Sequence, residues 1–381
     1  MSDQLTRREL MERAALGGAA ILVPGWLAAC GSSGGKSANH AHKLAKTLHF
    51  SNWTLYIDKK GNTHPSLDQF KKKYGVTVDY TEDINDNASF FGKIQGPLSR
   101  GQSTGRDLIV MTDNSRYPSL LVKKGWVEKL DKSAIPNMKN LIPVQRHPNW
   151  DPNRDHSLPW QSGMTGIGYN AKLTEPVLTM SDLLGNKKLK GKVGLLTEFS
   201  DTLALVMAAN GDDPSKITDA KFNRAIKTIK RAVNSGQIRQ FYGNDYSGAL
   251  AKGDLAATMA WSGDIVQLQS DNPHLKWNLP DTGGDIWTDN MLIPKGGNVY
   301  TASVYMNFVY EPKIAAEIED AVNYICPVLG AKQAMEKIDP KIAANTLIFP
   351  TKKMLDNVHV IDANALNNQK YLTEWQNLIT A

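Results

Sequence analysis

Cysteine is nearly absent: Cys30 and Cys326 are the only two in 381 residues. If Cys30 carries lipid, Cys326 has no intramolecular partner, so packing and not cross-linking must hold the fold. Cys326 sits at the end of an apolar helical pattern, which suits an inert core thiol. Long apolar runs are missing too. The uncharged stretch between Arg13 and Cys30 is about 16 residues, short of the roughly 20 that span a bilayer, and Pro24 and several glycines interrupt it. Catalytic signatures are also lacking, with no Walker loop, G-x-S-x-G elbow, HExxH or CxxC. Gly166-Ile-Gly168 lacks the third glycine of a nucleotide fingerprint. His49, His64, His147, His156, His274 and His359 show no metal-ligand spacing, so neither metal nor cofactor is expected. A glycosidase-type carboxylate pair depends on separation in space, which sequence does not carry. No internal repeat occurs, and no low-complexity tract beyond the N-terminal tether, which argues against an envelope-structural or adhesive protein.

What the N-terminus does contain is an export signal. Thr6-Arg7-Arg8 fits a twin-arginine leader, and Leu27-Ala-Ala-Cys30-Gly31 resembles a lipobox, in which small residues admit the peptidase before a lipidated cysteine. Residues 1–29 are therefore expected to be a signal peptide, with Cys30 the lipidation site. "GSSGGKSANHAHK" is too polar and glycine-rich to pack, making 30–46 a flexible tether in which His40 and His42 are solvated. Removing 1–29 takes Arg7, Arg8 and Arg13 together with Asp3, Glu9 and Glu12, so the formal charge of +6 belongs to the mature chain. In "DAKFNRAIKTIKRAV", Phe222, Ile226, Ile229 and Val233 share one helix face and the basic residues lie largely opposite. That is a solvated face, and no nucleic-acid partner is expected.

Beyond the tether, helix and strand patterns alternate, which indicates an α/β fold of two domains or one large one. "HPSLDQFKKKYGVTVDY" predicts a helix opening near Pro65, capped by Gly75, then a strand over Val76 to Tyr80. "RDLIVMTDN" reads as a buried strand ending in a polar loop, and "RYPSLLVKKG" as a short helix. "GALAKGDLAATMAW" reads as helix, turn and strand, delivering Trp261 at a strand's carboxyl end, where open α/β sheets place ligands.

Aromatic residues beside polar turns are abundant: Trp53, Trp160, Trp261, Trp287 and Trp375 among nine tryptophans. Two of them precede a carboxylate, in "AWSGD" (Trp261, Asp264) and "DIWTDN" (Trp287, Asp289). An indole face attracts a cation, and an adjacent aspartate supplies a charge-assisted hydrogen bond, a combination suited to a primary ammonium on an aliphatic chain. Two such ends would reach the roughly 8 kcal/mol of micromolar binding.

From Thr47 to Asn377 the chain resembles the extracellular polyamine-binding proteins, spermidine/putrescine type, of bacterial ABC importers. "FSNWTLYI" resembles their opening motif, "RDLIV" their buried strand and "LPWQSGMTGIGYN" their crossing segment, with "AWSGD", "WTDNMLIP", "FPTKK" and "EWQN" following in order. The resemblance implies a two-lobed, type II periplasmic-binding-protein-like α/β fold, hinged around a ligand cleft. It places lobe 1 at 47–160 and 289–349, and lobe 2 at 161–288 and 350–381. It also implies ligand contacts from Trp53, Thr54 and Thr112, from Trp261, Asp264, Trp287 and Asp289, and from Phe349 and Gln376. After "GLLT" such proteins often carry an acid, whereas Phe199 and Thr202 occupy the candidate positions here. Glu198 and Asp201, beside them, are expected to take that role, with Thr202 a further candidate ligand contact.

The expectation is thus a monomeric, lipid-anchored solute-binding protein at the outer face of the cell membrane or in the periplasm. It would perform no chemistry, capturing a polyamine and handing it to an ABC permease. The alternatives are a binder of another solute on the same fold (an anion, a thiamine-like cation or an opine) and, from another class, an exported lipoprotein hydrolase. The net positive charge gives a cation no long-range steering, although screening confines that effect to about 8 Å.

Overall fold

The computed structural model describes residues 42–380, so the signal peptide, the lipobox with Cys30 and most of the tether lie outside the described residues. The strands are β1 (Thr47–Trp53), β2 (Thr77–Ile84), β3 (Leu108–Thr112), β4 (Ser157–Asn170), β5 (Val193–Leu196), β6 (Ile238–Tyr242), β7 (Ala257–Trp261), β8 (Leu275–Asn278), β9 (Gly284–Leu292) and β10 (Val358–His359). They join in one sheet ordered β2-β1-β3-β9-β4-β7-β5-β6, with β10 beside β9 and β8 beside β4. The flanks are parallel, β1 with β2 and β3, and β5 with β6 and β7. The middle is antiparallel, built on the pairing of β4 with β9.

Those two strands carry the architecture. β3 pairs with the Asp289–Leu292 end of β9, while β7 pairs with the Thr165–Tyr169 end of β4. Each strand therefore begins in one half of the sheet and ends in the other. All fourteen residues of β4 are buried, so it reads as an unbroken "SLPWQSGMTGIGYN" without the polar alternation of a one-sided strand.

Local chemistry explains most of the helices. Pro65 opens the helix Pro65–Tyr74, and Gly75 closes it at φ 73° with its N–H on Lys71 O. The following strand is longer than the Val76 to Tyr80 expected, because its alternation is masked by a polar outer face. The helix Asp219–Asn234 buries Phe222, Ala225, Ile226, Ile229 and Ala232 and leaves its basic face to solvent. One helix end differs from expectation: Pro312–Val322 stops at Asn323, which adopts φ 58°, and Cys326 lies beyond it, buried and unpaired. Among the described residues no helix is long and apolar enough to cross a membrane, and no group of side chains has metal-binding geometry.

Candidate functional site

β9 alternates, as any strand does, so Asp285, Trp287 and Asp289 share one face and all three are buried. Across that face the end of β1 delivers Trp53, and the turn after it passes through Leu55 at φ 58°, an uncommon conformation for a branched residue. The turn sends Tyr56 back toward β9. The Trp261 end of β7 runs into the short helix Ser262–Leu268, which carries Asp264. These elements close on a narrow cavity between the two halves of the sheet.

The walls are aromatic and the anchoring groups acidic. Trp53, Trp261, Trp287, Tyr324 and Tyr56 form a continuous chain of rings with centroids 5.0 to 6.2 Å apart, mostly edge to face. Glu198, Asp201, Asp264 and Asp289 line the same space, and no lining side chain is basic. Each carboxylate is fixed by neutral donors. Asp289 accepts from Tyr56 Oη at 2.6 Å and Thr112 Oγ1 at 2.7 Å. Asp264 accepts from Tyr324 Oη at 2.7 Å, Tyr246 Oη at 2.9 Å and Asn244 Nδ2 at 2.9 Å. Asp201 accepts from Trp261 Nε1 at 3.1 Å and in a short bond from Thr165 Oγ1, whose hydroxyl in turn accepts from Trp287 Nε1. Glu198 accepts from the amide and side chain of Asn87, at 2.7 and 2.8 Å, and Asn87 continues to Thr112 and so to Asp289.

Neutral donors do not cancel charge. Burial raises the lining carboxyls despite these hydrogen bonds: Asp264 to about 6, Asp289 to about 7 and Glu198 to about 8, with Asp201 raised as well. Burying several carboxyls together without a basic partner disfavours their charged forms.

Of the residues expected from sequence, Trp53, Thr54, Thr112, Trp261, Asp264, Trp287 and Asp289 meet in this cavity, and Glu198 and Asp201 join them. Three do not. Thr202 is fully buried in its helix, donating to Leu196 O. Phe349 packs against Ala316, Met335 and Ala343 under Lys332. Gln376 stands exposed on the helix Gln369–Ile379, beside an outer groove that meets the cavity at Asn114 and Glu198. Both of the latter come from C-terminal segments whose packing no local pattern encodes. Trp160 belongs to the core, against Phe50, and Trp375 packs on Phe199. Tyr56, Asn87, Asn114, Asn244 and Tyr324 also line the cavity and were not singled out. Tyr56 lay in plain view in "NWTLY", whereas Tyr324 follows a helix end and carries no sequence signal.

Known proteins agree with this architecture. The spermidine/putrescine-binding periplasmic protein of Escherichia coli K12 is 28% identical over 357 residues, covering 91% of each chain. A solved Listeria monocytogenes structure, assigned to a spermidine/putrescine ABC transporter, superposes with TM-score 0.75 at 24% identity over 88% of this chain and 98% of that one. A binding protein of A. tumefaciens R10 in complex with agropinic acid superposes with TM-score 0.70 at 18% identity, covering 89% of this chain and 100% of that one. At these identities the two solved structures establish the two-lobed α/β fold and leave the choice of solute to the site. The model of the bacterial extracellular solute-binding protein family matches residues 66–350, and the chain belongs to that family, whose members bind solutes and are not enzymes.

Proposed function

We propose that the protein captures a linear polyamine of the putrescine/spermidine kind and presents it to an ABC permease. The observation that carries this reading is a cavity of four carboxylates and three tryptophans with no basic side chain. An anion would find no basic partner there and would meet like charge on the ionised carboxylates. A protonated amine finds charge acceptors at Asp289, Asp264, Asp201 and Glu198 and indole faces for its methylenes. The E. coli relative, named for spermidine and putrescine, supports the same ligand class.

Two further elements belong to the proposal. The protein acts as a monomer held at the outer face of the membrane or in the periplasm by lipid on Cys30, which mass spectrometry of the membrane-extracted N-terminus tests. Its lobes are 47–160 with 289–349, and 161–288 with 350–381, closing about β4 and β9. The split of strand pairing between the two ends of those strands supports these boundaries.

Thermal unfolding with a solute panel tests the ligand class. Putrescine or spermidine at about 100 times Kd should stabilise the protein by about 2.7 kcal/mol, while glutamate and phosphate leave Tm unchanged; the opposite pattern refutes the reading. A second test uses Gly263. A Cβ there would lie 2.2 Å from Tyr324 Cδ2, so Gly263→Ala must displace the ring that donates to Asp264. Loss of a hydrogen bond to a charged group costs about 1.5–3 kcal/mol, so calorimetry should find polyamine affinity weakened roughly tenfold or more. Unaltered affinity in a folded variant would remove Tyr324 from the site.

A further inference from the structure

Two turns at the far edges of the sheet touch one another. β2 and β6 are the outermost strands of its order, with β9 and β4 at the middle, yet the residues just past their carboxyl ends meet. Asn244 N donates to Asn85 O at 2.9 Å, Asp245 N donates to Asn85 Oδ1 at 3.2 Å, and Asn85 Nδ2 reaches Asp245 Oδ1 at 3.4 Å. One asparagine thus holds two successive amides of the 243–245 turn, one with its backbone and one with its side chain. The approach depends on Gly243, where a Cβ would lie 2.5 Å from both Asn85 O and Asn85 Nδ2. The side-chain amide could swing aside, but the carbonyl belongs to the main chain and moves only with its turn. Gly243 does not adopt a left-handed φ, so alanine would suit its own backbone and fail only against Asn85.

This clasp stands at the rim of the cavity and not in its wall. Asn85 is exposed and does not line the cavity, whereas Thr54 and Asn244 line both the cavity and an outer groove that Asn85 and Asp245 also line. Asn244 connects the two places. Its backbone N–H is held by Asn85, and its Nδ2 donates to Asp264 Oδ2 at 2.9 Å. A solute that orders Asp264 therefore also orders the residue on which the clasp closes.

We propose that Asn85 and Gly243 form a latch between the lobes, retaining the captured solute by slowing reopening without touching it. The latch presupposes the lobe division given above, which puts Asn85 in 47–160 and Gly243 in 161–288. β4 and β9 join the lobes through the middle of the sheet, and the latch joins its two outer edges. A contact present only in the closed state adds to the barrier for release and leaves the encounter unaltered, so its effect falls on the dissociation rate.

Stopped-flow fluorescence with spermidine, read through Trp53, Trp261 and Trp287 of the cavity, tests the latch on wild type, Gly243→Ala and Asn85→Ala. Spermidine should leave Gly243→Ala at least tenfold faster and Asn85→Ala at least threefold faster, with both association rate constants within threefold of wild type. Dissociation within twofold of wild type in both variants overturns the latch, and so does a loss of affinity confined to association. Asn85 is exposed, so its variant alone decides if Gly243→Ala does not fold. Small-angle scattering separates the lobe division from the latch. Wild type that binds spermidine without becoming more compact refutes both, whereas compaction with unaltered dissociation in the variants refutes the latch alone. If wild type binds no amine, the polyamine reading fails by itself, and hydrogen exchange of the Asn244 and Asp245 amides decides the latch. Protection in wild type lowered at least tenfold by Gly243→Ala sustains it, and equal exchange overturns it.

Discussion

Asp289→Ala should weaken polyamine binding by about 2 kcal/mol or more, roughly thirtyfold, because it removes a desolvated counter-charge from the centre of the cavity. The carboxylate is 3% exposed and both of its oxygens are engaged, one by Tyr56 Oη and the other by Thr112 Oγ1. Alanine therefore deletes the charge and also frees two hydroxyls that had been oriented by it. Through Thr112 the loss reaches Asn87 and Glu198, so a second carboxylate loses part of its positioning. Asp289→Asn separates these effects. The amide keeps the volume and can accept one of the two hydrogen bonds, so an affinity close to that of alanine would assign the loss to charge. Titration calorimetry on both variants, with Tm checked against wild type, is the measurement. Wild-type affinity in either would exclude Asp289 as a ligand group.

The sequence exposed the parts of this site that strand geometry repeats. Trp287 and Asp289 are two apart, hence on one face. The carboxyl end of β7 was legible from the helix, turn and strand of "GALAKGDLAATMAW", and with it Trp261 and the Asp264 that follows. The acid expected after "GLLT" was legible as a neighbourhood and not as an aligned position: Phe199 and Thr202 occupy the aligned places, and the turn into the helix starting at Phe199 brings Glu198 and Asp201 to the cavity while Thr202 bonds its own preceding strand. What stayed hidden depends on tertiary contacts. Asn244 and Tyr324 reach Asp264 from separate loops, and no local periodicity marks a residue whose only distinguishing feature is its partner. Phe349 and Gln376 show the converse, since motif order placed them near the ligand and packing of the C-terminal segments did not.

Polyamine affinity should fall steeply as pH drops from 8 to 6, and binding near pH 7 should release protons. Burial raises Asp264 to about 6, Asp289 to about 7 and Glu198 to about 8, from ordinary values of 3.8, 3.8 and 4.5. A cation favours the ionised form of each, so binding lowers these values and expels whatever protons the groups still hold. Each unit of pH below a carboxyl that must ionise costs about 1.4 kcal/mol; with Asp289 and Glu198 both affected, affinity at pH 6 should be at least tenfold weaker than at pH 8. Stability of the ligand-free protein moves the other way. Between pH 4 and pH 8 the unfolded chain has released these protons while the folded chain retains them, so the native state binds more protons and unfolding free energy decreases as pH rises. The destabilisation begins near the unfolded values and is complete above about pH 8. Saturating polyamine should remove or reverse that slope, because the bound cation holds the same carboxylates ionised in the native state. Thermal unfolding at pH 5 and pH 8, with and without spermidine, and calorimetry in two buffers of different ionisation enthalpy measure both limbs. Binding without proton release at pH 7, together with a ligand-free Tm that climbs through this window, would mean that the lining carboxylates are already ionised and that the cavity draws its cation without displacing protons.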